Sequence, residues 1–282
     1  MTASQPGQLF IVATPIGNLS DLSSRAVETL QQVALIAAED TRHSKYLLQH
    51  YAISTKTISL HEHNEQQRSE VLLQRLLEGE SIALISDAGT PLISDPGYRL
   101  VSLVKQQGIK VVPIPGSCAL IAAMSASGLA SDRFSFEGFL PAKASARRQV
   151  LESLKEDSHT LIFYESPRRL LDALTDCIAA FGGERRACLA RELTKMHETI
   201  ETRPLVDLLE WVKADDNQQR GECVLLIEGA ADATSVDEQE MSRLLTILLT
   251  ELPVKKAAAI AAAISGGSKN QAYQLALKLQ QK

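Results

Sequence analysis

The sequence predicts two successive α/β domains followed by a small C-terminal helical appendage of helix-turn-helix character. Three observations point there: short β-branched apolar runs alternating with helix-period segments, a change of composition near Ser131, and a final stretch that reads as three short helices. In the first domain the apolar runs are LFIVA at Leu9 to Ala13, ALIAA at Ala34 to Ala38, SIALIS at Ser81 to Ser86 and KVVPI at Lys110 to Ile114. Runs this short and continuous suit strands buried on both faces of a parallel sheet. Between them Ser23 to Val33, Glu65 to Leu77 and Tyr98 to Gln107 space apolar residues as helices do, with Ser or Asn near the starts and Gly near some ends. This domain extends over residues 1–131.

The segment SDRFSFEGFLPAKASARR that follows, aromatic and then basic, reads as an interdomain linker. Beyond it TLIFYES, ACLARE and ECVLLIEG are apolar runs separated by helical patterns at Arg168 to Phe181 and Val206 to Lys213. They give a second α/β domain over residues 132–230. ADATSVDEQE is acidic and linker-like, and the helical appendage occupies residues 237–282. Pro253 separates its first helix from its second, and Gly266 with Gly267 separates the second from the third. From Leu252 onward Lys255, Lys256, Lys269, Lys278 and Lys282 meet no acidic residue.

Composition narrows the function classes. A net charge of −5 excludes a protein that holds nucleic acid by overall basicity, so any RNA contact is local. Cys118, Cys177, Cys188 and Cys223 form no CxxC pair and read as small buried residues in a reducing compartment. The first residues lack a basic stretch leading into an apolar core, and the apolar runs fall short of the roughly 20 residues that span a bilayer. The expectation is a cytoplasmic protein without a membrane partner.

Two loops stand out. ATPIGNLSDLS, Ala13 to Ser23, follows a strand, and its Pro15 and Gly17 suit close backbone approach to a ligand. ISDAGTPLISDPGYRLV, Ile85 to Val101, leaves the carboxyl end of another strand, where open α/β sheets bind ligands. Its two Asp-x-Gly units and two prolines exceed what a surface connection needs. PIPGSCALIAA adds Gly116 and Ser117 at a helix start. Neither GxGxxG nor GxxxxGK[ST] occurs, which counts against dinucleotides and nucleoside triphosphates. HEHNE suggests a metal at first sight, but strand alternation would put His61 and His63 opposite Glu62, and no third ligand follows, so none is assigned.

These loops resemble those of the tetrapyrrole methylase superfamily of S-adenosylmethionine-dependent methyltransferases. AEDTRHS, SLHEHNE, FEGFLP, FYESPRR and LARELTKMHE narrow the resemblance to its bacterial branch of ribose 2′-O-methyltransferases, which act on a decoding-centre cytidine of small-subunit ribosomal RNA. The resemblance covers most of Leu9 to Gly229 and implies two α/β domains with a cofactor cleft between them, and a homodimer. It implies S-adenosylmethionine held largely by backbone atoms around Pro15, Asp87, Gly89, Pro91, Ser117, Tyr164, Ala190 and Gly221. A ribose hydroxyl is a poor nucleophile at neutral pH and needs alignment and a base or polarising group. The candidates are Glu192 or Asp40 as base, with Lys195 or Arg191 orienting phosphate or ribose. Arg42, His61, Arg147, Arg148, Arg168, Lys255, Lys256 and Lys269 are the candidate RNA contacts. Aromatic content of 4% favours recognition of shape, in an assembled subunit, over base stacking. Two rivals remain: methylation of a tetrapyrrole or another small molecule, and a non-catalytic ribosome assembly factor.

Overall fold

The computed structural model describes residues 5–230, 233–265 and 269–280. Its first domain is a five-stranded parallel sheet of β1 (Leu9–Val12), β2 (Leu35–Ala38), β3 (Thr57–Ser59), β4 (Ile82–Ile85) and β5 (Val111–Ile114), in the order β3-β2-β4-β1-β5. Every residue of β2 and β4 is buried, as their unbroken apolar sequences require. One face packs Leu30, Ile36 and Ile85 with α1 (Ser24–Gln32) and α2 (Thr41–His50). The other packs Leu72, Leu84 and Leu100 with α3 (Glu65–Leu77) and α4 (Tyr98–Gln106). Local chemistry fixes the helix starts. Ser23 accepts the Ala26 N–H at 3.1 Å, and the buried Glu65 carboxylate accepts the Gly97 and Arg99 N–H groups at 3.0 and 2.8 Å, capping α4 from a neighbouring helix. The anchor sets where the long loop after β4 ends. α5 (Ala119–Ala126) completes the domain.

The second domain corrects the linker expectation. Residues 131–148 contain β6 (Phe134–Phe139) and the start of α6 (Ala144–Ser153), and β6 pairs in parallel with β7 (Thr160–Glu165) through an irregularity between Phe136 and Gly138. α7 (Leu170–Phe181), β8 (Arg186–Arg191), β9 (Thr199–Pro204), α8 (Leu205–Ala214) and β10 (Cys223–Ile227) follow, and the sheet order is β6-β7-β10-β8-β9, antiparallel except for the β6–β7 pair. One face of this sheet buries Phe163, Leu189 and Leu225 under its own helices. The opposite face buries Ile162, Ala190 and Val224 against Leu120, Ala123 and Met124 of α5 and Ile16 of the loop after β1. The alternation of β7, β8 and β10 therefore gives one strand face to the second domain's own core and the other to a shared apolar cluster that joins the two domains.

The C-terminal segment forms α9 (Ala233–Leu248), α10 (Val254–Ser265) and α11 (Lys269–Gln280). α9 begins within the stretch that reads as an acidic linker. Pro253 caps α10, its carbonyl accepting from Lys256 and Ala257, while Gly266 and Gly267 lie outside the described residues. Ala257, Ala258, Ala261, Ala262, Ala272 and Ala276 are buried, small side chains that let the helices approach closely around Met241 and Leu245. Among the described residues no helix is long and apolar enough to cross a membrane.

Candidate active site

The loops leaving β1, β4 and β5 at their carboxyl ends are stapled together. Thr14 and Gly89 exchange backbone hydrogen bonds at 2.8 and 3.1 Å, and the Thr90 hydroxyl donates to the Ser117 carbonyl at 2.9 Å. Gly89 holds a φ of 86°, a backbone state that a side chain disfavours, and a Cβ there would press on Ile16 at 3.3 Å. The β1 loop meets the second domain at Gly17, where a Cβ would lie 2.5 Å from Lys195 Cγ. Two cavities adjoin these loops.

The first, of about 390 Å³, is enclosed by Gly89, Thr90, Asp95, Cys118, Phe139, Tyr164, Ala190 and Gly221, among others. Phe136 and Phe139 pack edge-on against Tyr164, with ring centroids 4.8 and 5.7 Å away. Burial pushes the Tyr164 hydroxyl up to about 12, so the ring stays neutral. Among the described residues its walls carry carboxylates but no Lys, Arg or His. Burial, opposed by a Ser86 hydrogen bond and reinforced by the charges of Glu39 and Asp87, pushes the Asp95 carboxyl up to about 6. Glu165 touches the cavity too, but its carboxylate is completely buried and bonds Ser166 N at 2.6 Å and Arg169 Nε at 2.9 Å.

The second cavity, of about 530 Å³, is lined by Pro15, Gly17, Leu19, Arg42, His43, Tyr46, Asp87 and Lys195, among others. Ile16, Ala88 and Glu222 line both cavities, and Glu222 alone of the three is ionisable. Its Oε2 accepts from Lys195 Nζ at 2.9 Å, and the same ammonium donates to Glu192 Oε1 at 2.8 Å. Burial disfavours the Lys195 charge, but both carboxylates more than offset it and hold its pKa above the ordinary lysine value.

A domain model described as tetrapyrrole (corrin/porphyrin) methylases matches residues 8–209, and one described as the RsmI C-terminal HTH domain matches residues 235–280. The ribosomal RNA small subunit methyltransferase I of Pseudomonas aeruginosa is 59% identical over 98% of this chain and 99% of its own length. The chain belongs to the ribosomal RNA small subunit methyltransferase I family, within the tetrapyrrole methylases. Its Escherichia coli O157:H7 relative of that name is 56% identical over 97% of this chain and 96% of its own length. Among solved structures, diphthine synthase and the methyltransferase CobJ each align with a TM-score of 0.60, at 14% and 17% identity. They cover 79% and 80% of this chain and 90% and 95% of their own, and they share the two-domain fold.

Within this methyltransferase I fold the residues expected at the cofactor fall into two groups. Gly89, Tyr164, Ala190 and Gly221 line the first cavity, whereas Pro15 and Asp87 line the second. Asp87 Oδ1 accepts the Asp40 N–H at 3.0 Å, so it ties β4 to the end of β2. Pro91 is buried and Ser117 supplies the Thr90 staple, and neither lines a cavity described above.

The expected bases sit elsewhere. Asp40 caps α2 through Arg42 N at 2.8 Å and holds the Arg42 guanidinium at 3.2 and 2.9 Å, contacts that lower its pKa to about 2. Glu192 lines neither cavity. Burial raises its pKa, but Lys195 and the Glu222 N–H outweigh that and hold it below the usual range. Both carboxyls are thus held below the usual range, and Glu192 Oε1 accepts from Lys195 Nζ and from the Glu222 N–H. Arg191 is buried and donates to Gln218, Arg220 O, His197 O and Thr199, which makes it a fastener for the ends of β8 and β9 rather than an RNA contact.

The expected RNA contacts divide by exposure. Arg42, Arg148, Arg168, Lys255, Lys256 and Lys269 are exposed, whereas Arg147 is buried in an ion pair with Asp176 and cannot meet RNA. His61 lies in a turn after β3, not on a strand, with its ring 6.1 Å from that of His63 and its Nε2 3.0 Å from Asn64 Nδ2. The alternation argument against a metal therefore fails, although among the described residues no group of His, Cys, Asp and Glu is placed to hold one. Sequence reasoning missed Glu222, Asp95 and Tyr46. Asp95 was legible in the SDPG unit, but nothing in the sequence marks the other two.

Proposed function

We propose that this chain uses S-adenosylmethionine to methylate the ribose 2′-hydroxyl of a decoding-centre cytidine in small-subunit ribosomal RNA, acting as a homodimer on the assembled subunit. The observation that carries the reading is a contrast between adjoining cavities: among the described residues the first is lined by carboxylates without a Lys or Arg, whereas Arg42 and Lys195 join Asp87 and Glu222 on the walls of the second. The cofactor is a sulfonium with an ammonium group, and its acceptor is a polyanion. The first cavity fits the cofactor in volume, within the roughly 300 to 1,000 Å³ of small-molecule sites, and in its aromatic and backbone walls. Bound there, S-adenosylmethionine supplies an electrophilic methyl group, the electrons of the broken S–C bond staying on sulfur. The chain's own part is to present the hydroxyl at the junction of the cavities, and Glu222 is the carboxylate placed there to take its proton. The relatives' names support ribosomal RNA as the acceptor, and the cytidine rests on the resemblance of AEDTRHS and LARELTKMHE. Lys255, Lys256 and Lys269 on α10 and α11 are exposed and are further RNA contacts in this reading.

Asp95 makes cofactor affinity depend on pH. A bound sulfonium favours the ionised carboxylate, so affinity falls as pH drops through about 6. Calorimetric titration from pH 5 to 8 should show this fall in the parent protein, and Asp95→Asn should flatten the profile. An equal slope in both removes Asp95 from the cofactor. Without ligand the sign reverses: the fold favours the protonated form, so the stability drawn from Asp95 is present at low pH and lost as pH rises through about 6.

The reading is tested by methyl transfer from labelled S-adenosylmethionine to unmodified small subunits, naked ribosomal RNA and a tetrapyrrole, with alkali-resistant linkages mapped. Label at a 2′-oxygen in subunit RNA is expected. Label in the tetrapyrrole alone overturns the reading in favour of a small-molecule enzyme, and RNA binding without label overturns it in favour of an assembly factor.

A further inference from the structure

We propose that the second cavity is a subsite for one unstacked ribonucleotide and that Tyr46 is the surface on which its base stacks. The inference rests on the proposed function for the reaction but on independent geometry for the subsite. Arg42 and Tyr46 are four residues apart on α2, so they share one face of that helix, and both line the cavity with His43 between them. Tyr46 is 70% exposed, and its neighbours Leu47 and Leu48 already fill the core side of α2. It is the one Tyr, Phe or Trp among the described residues lining this cavity.

Arg42 is oriented in advance. Both Asp40 oxygens hold its guanidinium, which orients it and offsets part of its charge, while its side chain stays 90% exposed and within reach of a phosphate. Lys195 flanks the cavity from the second domain, beside the shared wall of Ile16, Ala88 and Glu222. A nucleotide placed here directs its ribose to that wall, its base to Tyr46 and its phosphates to Arg42 and Lys195. Stacking accepts any base, because each has a π-face. Tyr46 therefore supplies affinity, and the surrounding RNA supplies the choice of nucleotide. Low aromatic content led to an expectation of recognition by shape alone, and a single exposed ring at the acceptor cavity revises it.

The test uses the full chain with Tyr46→Ala and Tyr46→Phe, and Tyr98→Ala as a control, since Tyr98 is 73% exposed and lines neither cavity. One readout is quenching of a single-stranded oligoribonucleotide carrying one pyrrolocytosine. The other is KM against kcat for unmodified small subunits. Tyr46→Ala should abolish most of the quenching and raise KM about tenfold, as loss of one stacked base implies, with cofactor affinity unchanged. Tyr46→Phe and Tyr98→Ala should match the parent protein. No quenching by the parent protein, or equal quenching by Tyr46→Ala, overturns the subsite. Tyr46-dependent quenching without methylation of any RNA overturns the proposed function and leaves the subsite standing, whereas methylation with an unchanged KM in Tyr46→Ala does the reverse.

Discussion

Asp176→Ala is expected to lower the unfolding free energy by about 3 to 5 kcal/mol, the usual consequence of stranding one partner of a buried ion pair. The Arg147 and Asp176 side chains are 4% and 7% exposed and meet at 2.7 Å between α6 and α7. Without the carboxylate, the Arg147 guanidinium keeps only two carbonyl contacts at 3.5 Å, from Pro141 and Ala142. Arg148 reaches the other carboxylate oxygen at 2.8 Å with 66% of its side chain in water, so Arg148→Ala should change stability by less than about 1 kcal/mol. Burial pushes the Asp176 pKa up, but hydrogen bonds and charge from Arg148 and Arg147 more than offset it, and the carboxyl sits below the usual value. Its contribution is therefore present at neutral pH and lost as pH falls below the ordinary carboxylate range. Urea titrations of both variants decide the matter. A loss under about 1 kcal/mol for Asp176→Ala would mean that the Arg147 guanidinium reaches solvent once its partner is gone, and that the pair adds little to stability.

This pair marks a limit of reading a sequence. Lys143, Arg147 and Arg148 form a basic cluster along the chain, and the carboxylate that neutralises Arg147 comes 29 residues later from another helix. Periodicity reports which face of an element is apolar, not which charge awaits on its neighbour. It served well where burial was two-sided: the expected runs at Leu9, Ala34, Ser81 and Lys110 became β1, β2, β4 and β5 to within a residue or two, and α3 matches its expected span. It failed where burial was slight or mixed. β3 has three residues and none is fully buried, and β9 carries Glu201 and Arg203 that pair with each other in mid-strand. β6, a partly exposed edge strand broken at Gly138, offered only aromatics beside polar residues.

The site was legible as loops and not as roles. The segments after β1 and β4 carry the expectation of a ligand because proline and glycine there preset the backbone, and a Thr14–Gly89 bridge joins the two loops. Which carboxylate faces the reaction depends on how β8 and β10 meet. Glu192 has a backbone φ of 51° and is hydrogen-bonded to Glu222 in both directions, main chain to main chain and carboxylate to N–H, each at 2.9 Å. That exchange draws Glu192 inward beside Gly221 and leaves Glu222 at the cavities. LARELTK is conspicuous in the sequence because its charges follow an apolar run. GEC is not, although its glutamate occupies the better position.

Glu222→Gln should accordingly reduce kcat for unmodified small subunits about a hundredfold, the lower range for losing a positioned base, while cofactor affinity and the KM for subunits stay within about twofold of the parent. Glutamine keeps the side chain's length and its contact with Lys195 while removing its capacity to accept a proton, and Lys195 retains its 2.8 Å partner Glu192, so the cavity walls have little reason to shift. Glu192→Gln should behave differently. Glu192 lines neither cavity, and its carboxylate holds Lys195 and the Glu222 N–H in place, so the effect of removing its charge should fall on KM more than on kcat. If Glu222→Gln keeps full turnover and Glu192→Gln loses it, the base returns to Glu192 and the junction of the cavities ceases to mark the reacting atoms. If both keep it, the hydroxyl proton leaves through Asp87, the remaining carboxylate on the wall of the second cavity, or through water.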